Sequence, residues 1–113
     1  MAAASALELW QTEWCPASHR VRQRLTELGL SYTTRQVPVQ REDRAELRRA
    51  VGTDEIPVLV ADRTPVCGEE AIIAYLDASY IEPPGAASQR AKAAKAKHKE
   101  LEAAWRTFAA ATP

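Results

Sequence analysis

The chain has 113 residues, 46% of them apolar and 27% charged, with 15 Lys and Arg balanced by 15 Asp and Glu. That length implies one domain with room for a modest core, and the zero net charge excludes a global electrostatic pull toward nucleic acid. Its two cysteines, Cys15 and Cys67, stand far apart and in no metal-ligand spacing, which argues against a disulfide framework and for a reducing, cytoplasmic setting.

The start, Met1-Ala2-Ala3-Ala4-Ser5-Ala6, lacks a basic segment and a long apolar core, so it is not read as a secretory signal. No apolar run approaches the length of a membrane span, and neither a membrane nor a nucleic-acid partner is expected. Leu7, Leu9 and Trp10, interleaved with Glu8 and Gln11, predict a short strand over 7–11. A helix is predicted from Pro16, with Val21, Leu25 and Leu28 on one face and Gly29 as its stop. Residues 30–37 (Leu-Ser-Tyr-Thr-Thr-Arg-Gln-Val) are rich in β-branched and aromatic types and predict a second strand that Pro38 ends. A strand–helix–strand unit with short turns points to a parallel pair.

Between strand and helix stands Trp14-Cys15-Pro16-Ala17-Ser18-His19-Arg20. Proline suits the first helical turn, so Cys15 falls at or beside the N-cap, where free N–H groups and the helix dipole favour an anion. A thiol in that place has its pKa lowered, and the thiolate is the nucleophile. The other reading of Cys15 is a small buried apolar filler.

Residues 41–51 predict a second helix with Ala45, Leu47, Ala50 and Val51 as its thin apolar content, Asp43 as N-cap and Gly52 as stop. So charged a run reads as a solvated face. Ile56-Pro57-Val58-Leu59-Val60-Ala61, a turn at Asp62-Arg63-Thr64-Pro65, and Val66-Cys67 predict a hairpin, with Cys67 read as a core filler. Ile56-Pro57 is a candidate cis bond. Gly68-Glu69-Glu70 opens a third helix, its two carboxylates suited to the dipole. Pro83-Pro84-Gly85 breaks the chain, and Ser88 caps a last helix to about Ala111. Its lysines read as solvated, with Trp105 and Phe108 packed on the domain.

The element order and three motifs resemble the glutaredoxins and the N-terminal domains of glutathione S-transferases. Trp14 to Arg22 is similar to the monothiol Cys-Pro-x-Ser/Ala segment, Glu55-Ile56-Pro57-Val58-Leu59 to the strand carrying a cis-proline, and Gly68 to Asp77 to the transferase Glu-Ser-x-x-Ile-x-x-Tyr-Leu helix start. The resemblance implies an α/β thioredoxin-like fold, β-α-β-α-β-β-α with a mixed four-stranded sheet and one extra C-terminal helix. It implies a domain over 1–82, with 83–113 a Pro/Gly linker and a helix packed on that domain. It makes Cys15 the nucleophile, near Pro16 and Ser18, and expects Pro57 to be cis. Ile56 offers its backbone to a bound thiol, and Glu69 takes the ammonium of a γ-glutamyl group. Glu70 stands where transferases place Ser or Thr, so the co-substrate implied is glutathione or a similar low-molecular-weight thiol.

No cysteine occupies position 18, so the route implied is monothiol: Cys15 acts on protein mixed disulfides and a second small thiol frees it. No tightly bound cofactor and no metal is expected. Iron–sulfur carriers of the monothiol glutaredoxin kind typically have Gly where this chain has Pro16. Only one helix follows position 83, too little for the helical domain that forms a transferase's electrophile pocket. The functions in competition are a glutaredoxin-like oxidoreductase and a non-catalytic thiol-binding or protein-interaction domain. His19 reads as a surface residue, and Arg20 as an electrostatic or structural one.

Overall fold

The computed structural model describes residues 6–111, so the signal reading of the alanine-rich start falls largely outside the described residues. Four strands, β1 (Leu7–Gln11), β2 (Thr33–Gln36), β3 (Val58–Ala61) and β4 (Thr64–Cys67), form one sheet in the order β2-β1-β3-β4. β1 and β2 are parallel, while β1–β3 and β3–β4 are antiparallel. The helices are α1 (Pro16–Glu27), α2 (Ala45–Val51), α3 (Glu69–Ser79) and α4 (Ala86–Ala111). This is the mixed-sheet thioredoxin-like fold with an added C-terminal helix.

Strand alternation builds both sides of the sheet. Leu7, Leu9, Leu59 and Ala61 point to one face, where Val21, Leu25 and Leu28 of the α1 segment and Ile72 and Leu76 of α3 cover them. Trp10 and Val58 point to the other face and pack with Val37 and Leu47 of α2. The first cluster thus locks α1 onto β1, which fixes the turn between them.

Several expectations are corrected. β2 is shorter than 30–37 because β1 offers partners only from Glu8 to Gln11, while Leu30 and Tyr32 turn onto the core instead. The second helix begins as a short 3-10 turn over Arg41–Asp43, and Arg44, not Asp43, precedes α2. Asp62 and Arg63 alone make the hairpin turn, both with positive φ, so Thr64 and Pro65 belong to β4. That is an edge strand, where proline's missing donor costs little. Ser88 lies inside α4, which starts at Ala86.

α4 leaves the domain as it goes. Its start is tied to α1: Ala86 is buried and Arg90 reaches Glu27 at 2.9 Å and Glu82 at 2.6 Å. Beyond Ala94 every residue through Ala110 is exposed. Trp105 and Phe108, expected to pack on the domain, are 66% and 62% exposed, since the residues of α4 that lie beside α1 are Arg90 and those from Ala93 to Glu100. No helix among the described residues is long and apolar enough to cross a membrane.

Candidate functional site

Cys15 is the N-cap of α1, extended at φ −75° and ψ 118°, with Pro16 in the first turn. Proline brings no N–H, so the open amides at this helix end belong to Ala17 and Ser18. The Ser18 N–H donates to Cys15 Sγ at 3.5 Å. Partial burial opposes the thiolate, but the Ser18 hydroxyl, the Ser18 and Ala17 amides and the charge of Arg20 outweigh it, and the thiol's pKa is lowered. The Ser18 hydroxyl is fully buried and makes no well-formed hydrogen bond, leaving it free to rotate toward a thiolate. Cys15 is therefore partly accessible and poised, not a buried filler.

The loop before it is held from α1. Arg22 bonds Gln11 Oε1, and reaches Glu13 at 2.9 Å and the Thr12 carbonyl at 3.4 Å, while Gln11 also bonds Gln36 at 3.2 Å. These ties set Trp14 and Cys15 at the end of β1.

Cys15 opens onto a groove of about 390 Å³ lined by Trp14, Val39, Arg41, Arg44, Glu55 and Ile56. The Ile56–Pro57 peptide is cis. The Pro57 carbonyl accepts from Gly68 N–H at 2.9 Å, coupling the β3 turn to the start of α3; Gly68 sits at φ 91°, a conformation that suits glycine. Ile56, in the bend before β3, lines the groove and takes part in none of the turn and loop backbone hydrogen bonds among the described residues.

The charged run at 41–51 was the signal missed. Arg44 is 5% exposed and donates to the carbonyls of Pro38 at 2.8 Å, Asp54 at 2.9 Å and Val39 at 3.1 Å. It clasps both loops bordering the groove and sets a cation in its wall. Arg41 stands beside it, paired with Asp54 at 2.6 Å. Nothing in the spacing distinguishes Arg44 from its neighbours, since only the tertiary fold brings three carbonyls around it.

At the other side, Glu69 is gripped by Arg20 through both guanidinium prongs, one at 2.8 Å, and this pair holds the Glu69 carboxyl below its usual range. Glu70 is exposed. Of the expected residues, Cys15 and Ile56 line the groove; Pro16 and Ser18 stand in the first turn of α1 beside Cys15, Pro57 is buried behind Ile56, and Glu69 is paired with Arg20. Cys67, expected in the core, is exposed at the end of edge strand β4. His19 is exposed, 3.5 Å from Arg22. Among the described residues no three His, Cys, Asp or Glu side chains cluster to hold a metal.

Fold and site define a thioredoxin-like domain with one cysteine at the first helix start and a cis-proline turn facing it. The chain belongs to the glutathione S-transferase N-terminal domain family, whose model matches residues 9–84. No curated protein sequence matches it significantly. Among solved structures it is similar to a rice GST in complex with glutathione, at 26% identity and TM-score 0.62, over 87% of this chain and 45% of that one. A trimeric glutathione transferase of Leishmania matches at 29% identity and TM-score 0.62, over 77% of this chain and 20% of that one. Glutaredoxin 2 of Salmonella typhimurium, with glutathione bound, shares the fold at 21% identity and TM-score 0.58, over 66% and 34%. The chain spans less than half the length of each.

Proposed function

We propose that the domain is a monothiol thiol–disulfide oxidoreductase acting through Cys15 on mixed disulfides of glutathione or a similar small thiol. The observation that carries this reading is the Cys15 thiol at the α1 N-cap, its pKa lowered, opening onto the groove beside Ile56 and Pro57. The rice relative was solved with glutathione, which makes that thiol the first ligand to test.

The Cys15 thiolate attacks the small-thiol sulfur of a protein mixed disulfide. That S–S bond breaks, a Cys15 mixed disulfide forms, and the protein leaves as a thiolate that takes a proton. A second small thiol, as thiolate, attacks the same sulfur; the oxidised small-molecule disulfide departs and Cys15 is free again. The protein cysteine gains the two electrons that the small thiols lose. Ser18, where a dithiol enzyme has its second cysteine, supports the thiolate and takes no electrons.

The ligand fits in three parts. Ile56 offers its backbone N–H and C=O to the cysteinyl backbone, a one-residue strand addition. A carboxylate is drawn to the Arg41 and Arg44 side of the groove. The amino end meets Glu69 and Glu70 at the α3 start. Protein mixed disulfides dock over the exposed Trp14 rim.

One observation favours a second reading, a non-catalytic thiol-binding domain: Arg20 already occupies Glu69. Turnover of a glutathionylated peptide, with intact mass after exposure to oxidised glutathione, separates the two. The oxidoreductase gives one adduct on Cys15 and turnover that Cys15→Ser abolishes. Full activity in Cys15→Ser refutes it, and an adduct without turnover supports the binding domain.

A further inference from the structure

Charge is divided unevenly between α4 and the rest of the chain. The helix carries six cations and two acids against nine cations and thirteen acids elsewhere, so a helix of net charge +4 stands on a body of −4. All four lysines of the chain, Lys92, Lys95, Lys97 and Lys99, lie on it. They are exposed and, among the described residues, none makes an ion pair or hydrogen bond, whereas most arginines of the body are held by carboxylates or carbonyls. Four open ammonium groups on one helix attract an anionic surface.

The helical turn then sorts the side chains. At about 3.6 residues per turn, Lys92, Lys95, Lys99 and Arg106 fall within an arc of about 60°, and Ala94, Leu101, Trp105 and Phe108 within a second such arc centred about 140° away. Leu101, Trp105 and Phe108 are 62%, 66% and 62% exposed, and the two rings stack with centroids 5.6 Å apart, which makes one apolar plate. The acids leave the plate clear. Glu100 lines the groove beside α1 with Lys97, and Glu102 is matched by Arg106 at 3.7 Å. From Ala103 to Ala111 the only charged side chain is Arg106.

We propose that the outer half of α4 is an in-plane anchor for an anionic lipid bilayer, sinking Leu101, Trp105 and Phe108 beneath the headgroups and leaving its lysines among the lipid phosphates. A helix that lies in the membrane interface has this make-up, with Lys and Arg on its polar face and Trp, Phe and Leu on the other, buried by about 5–10 Å. Lys97 stands beside the plate, and its long stem carries the ammonium back to headgroup level.

Both faces together select the occupant. A nucleic-acid duplex answers the lysines and leaves the aromatic plate in water. An apolar protein groove covers the plate and leaves the lysines unmatched. An anionic bilayer is charged at its surface and apolar beneath, so it meets both at once. A single projecting helix is also convex on every side, and a fluid interface closes round it without a preformed groove. The expectation of no membrane partner rested on the lack of a spanning segment. No described helix can cross a bilayer, but an in-plane helix needs no span. The body leaves the plate accessible, since α1 lies beside Arg90 and residues 93–100 and the aromatic pair lies beyond. The anchor is independent of the chemistry proposed for Cys15.

Co-sedimentation of the 113-residue chain with vesicles in about 0.1 M salt tests the anchor, comparing phosphatidylcholine alone with phosphatidylcholine containing about 30% phosphatidylglycerol. The expected partitioning is about tenfold stronger on the anionic vesicles and falls about fivefold when salt is raised to about 0.5 M. Trp105→Ala with Phe108→Ala weakens it about tenfold, and Lys92→Gln, Lys95→Gln and Lys99→Gln together remove the preference for anionic vesicles. Alanine and glutamine are good helix formers and these positions are exposed, so helix content and the Cys15 alkylation rate in solution stay at wild-type values and report intact folding. Vesicles with brominated acyl chains quench the wild-type tryptophan emission, and Trp105→Phe still binds but loses that quenching. Wild type that stays in the supernatant with anionic vesicles overturns the proposal, as does equal partitioning onto both compositions. Undiminished binding after loss of the two rings, or an anionic preference that survives the three glutamines, overturns it as well. Quenching that persists in Trp105→Phe removes α4 as the inserted element. Retention by a DNA duplex of about 30 base pairs without vesicle binding assigns the lysines to nucleic acid instead.

Discussion

Arg20 in the second turn of α1 and Glu69 at the start of α3 close on each other as a two-pronged ion pair, Nη2 to Oε2 at 2.8 Å. The same guanidinium contributes to lowering the Cys15 thiol. One cation therefore serves a carboxylate and a sulfur, and Glu69 keeps it in place near the cysteine. In Arg20→Gln the charge on the thiolate's flank is gone, and the pH profile of Cys15 alkylation moves to higher pH. A profile superimposable on wild type refutes the coupling.

Ser18 lowers the thiol's pKa by two routes, its amide at 3.5 Å from Sγ and its buried hydroxyl, which has no other partner and turns to the sulfur. Ser18→Ala removes only the second. The alkylation midpoint therefore rises but Cys15 keeps part of its activation, because the amide and the helix end remain. Stopped-flow alkylation across pH separates this partial rise from no change, which would leave the hydroxyl without a role.

Much of this arrangement was legible in the chain. Strand, turn, cysteine, proline and helix are neighbours in sequence, and local rules of capping and periodicity suffice to place Cys15 at a helix start. The hairpin with Pro57 was equally local. Arg44 was not legible, because burial of a guanidinium depends on carbonyls from residues 38, 39 and 54, and a charged helix looks solvated until those loops converge on it. The Arg20–Glu69 pair joins residues 49 apart and follows no spacing rule. For α4 the helix and its two aromatic residues were visible, yet periodicity does not say whether the domain reaches Trp105 and Phe108; α1 lies beside Arg90 and residues 93–100, and both rings stand exposed.

Arg44 makes a stability prediction with a clear mechanism. Its guanidinium satisfies three carbonyls in a site closed to water, and hydrogen bonds from a charged donor contribute about 1.5–3 kcal/mol each before the cost of burying the charge. Arg44→Met keeps the volume and strands the acceptors, so a loss of about 2–4 kcal/mol is expected in chemical denaturation. Arg44→Lys keeps the charge but not the fork and falls between. A loss under about 0.5 kcal/mol in Arg44→Met assigns the carbonyls to solvent instead.

The root of α4 is held by charge, so acid should loosen it first. Glu82 bonds Arg90 at 2.6 Å and Arg24 at 2.7 Å, and these two cations hold its carboxyl at about 2, below its ordinary 4.5. Glu27, partly buried yet bonded to Gln23, Arg90 and Arg24, is lowered as well. The folded pKa lies below the unfolded one, so the native state gains from these carboxylates above about 4.5 and loses that gain as pH falls toward 2. Wild-type Tm should therefore drop through this window. Glu82→Gln, which has no such proton to take up, starts lower at neutral pH and falls less steeply, so the two curves converge in acid. Parallel curves across the window would mean that Glu82 does not tie α4 to α1, and that Ala86 and the apolar contacts hold the helix root by themselves.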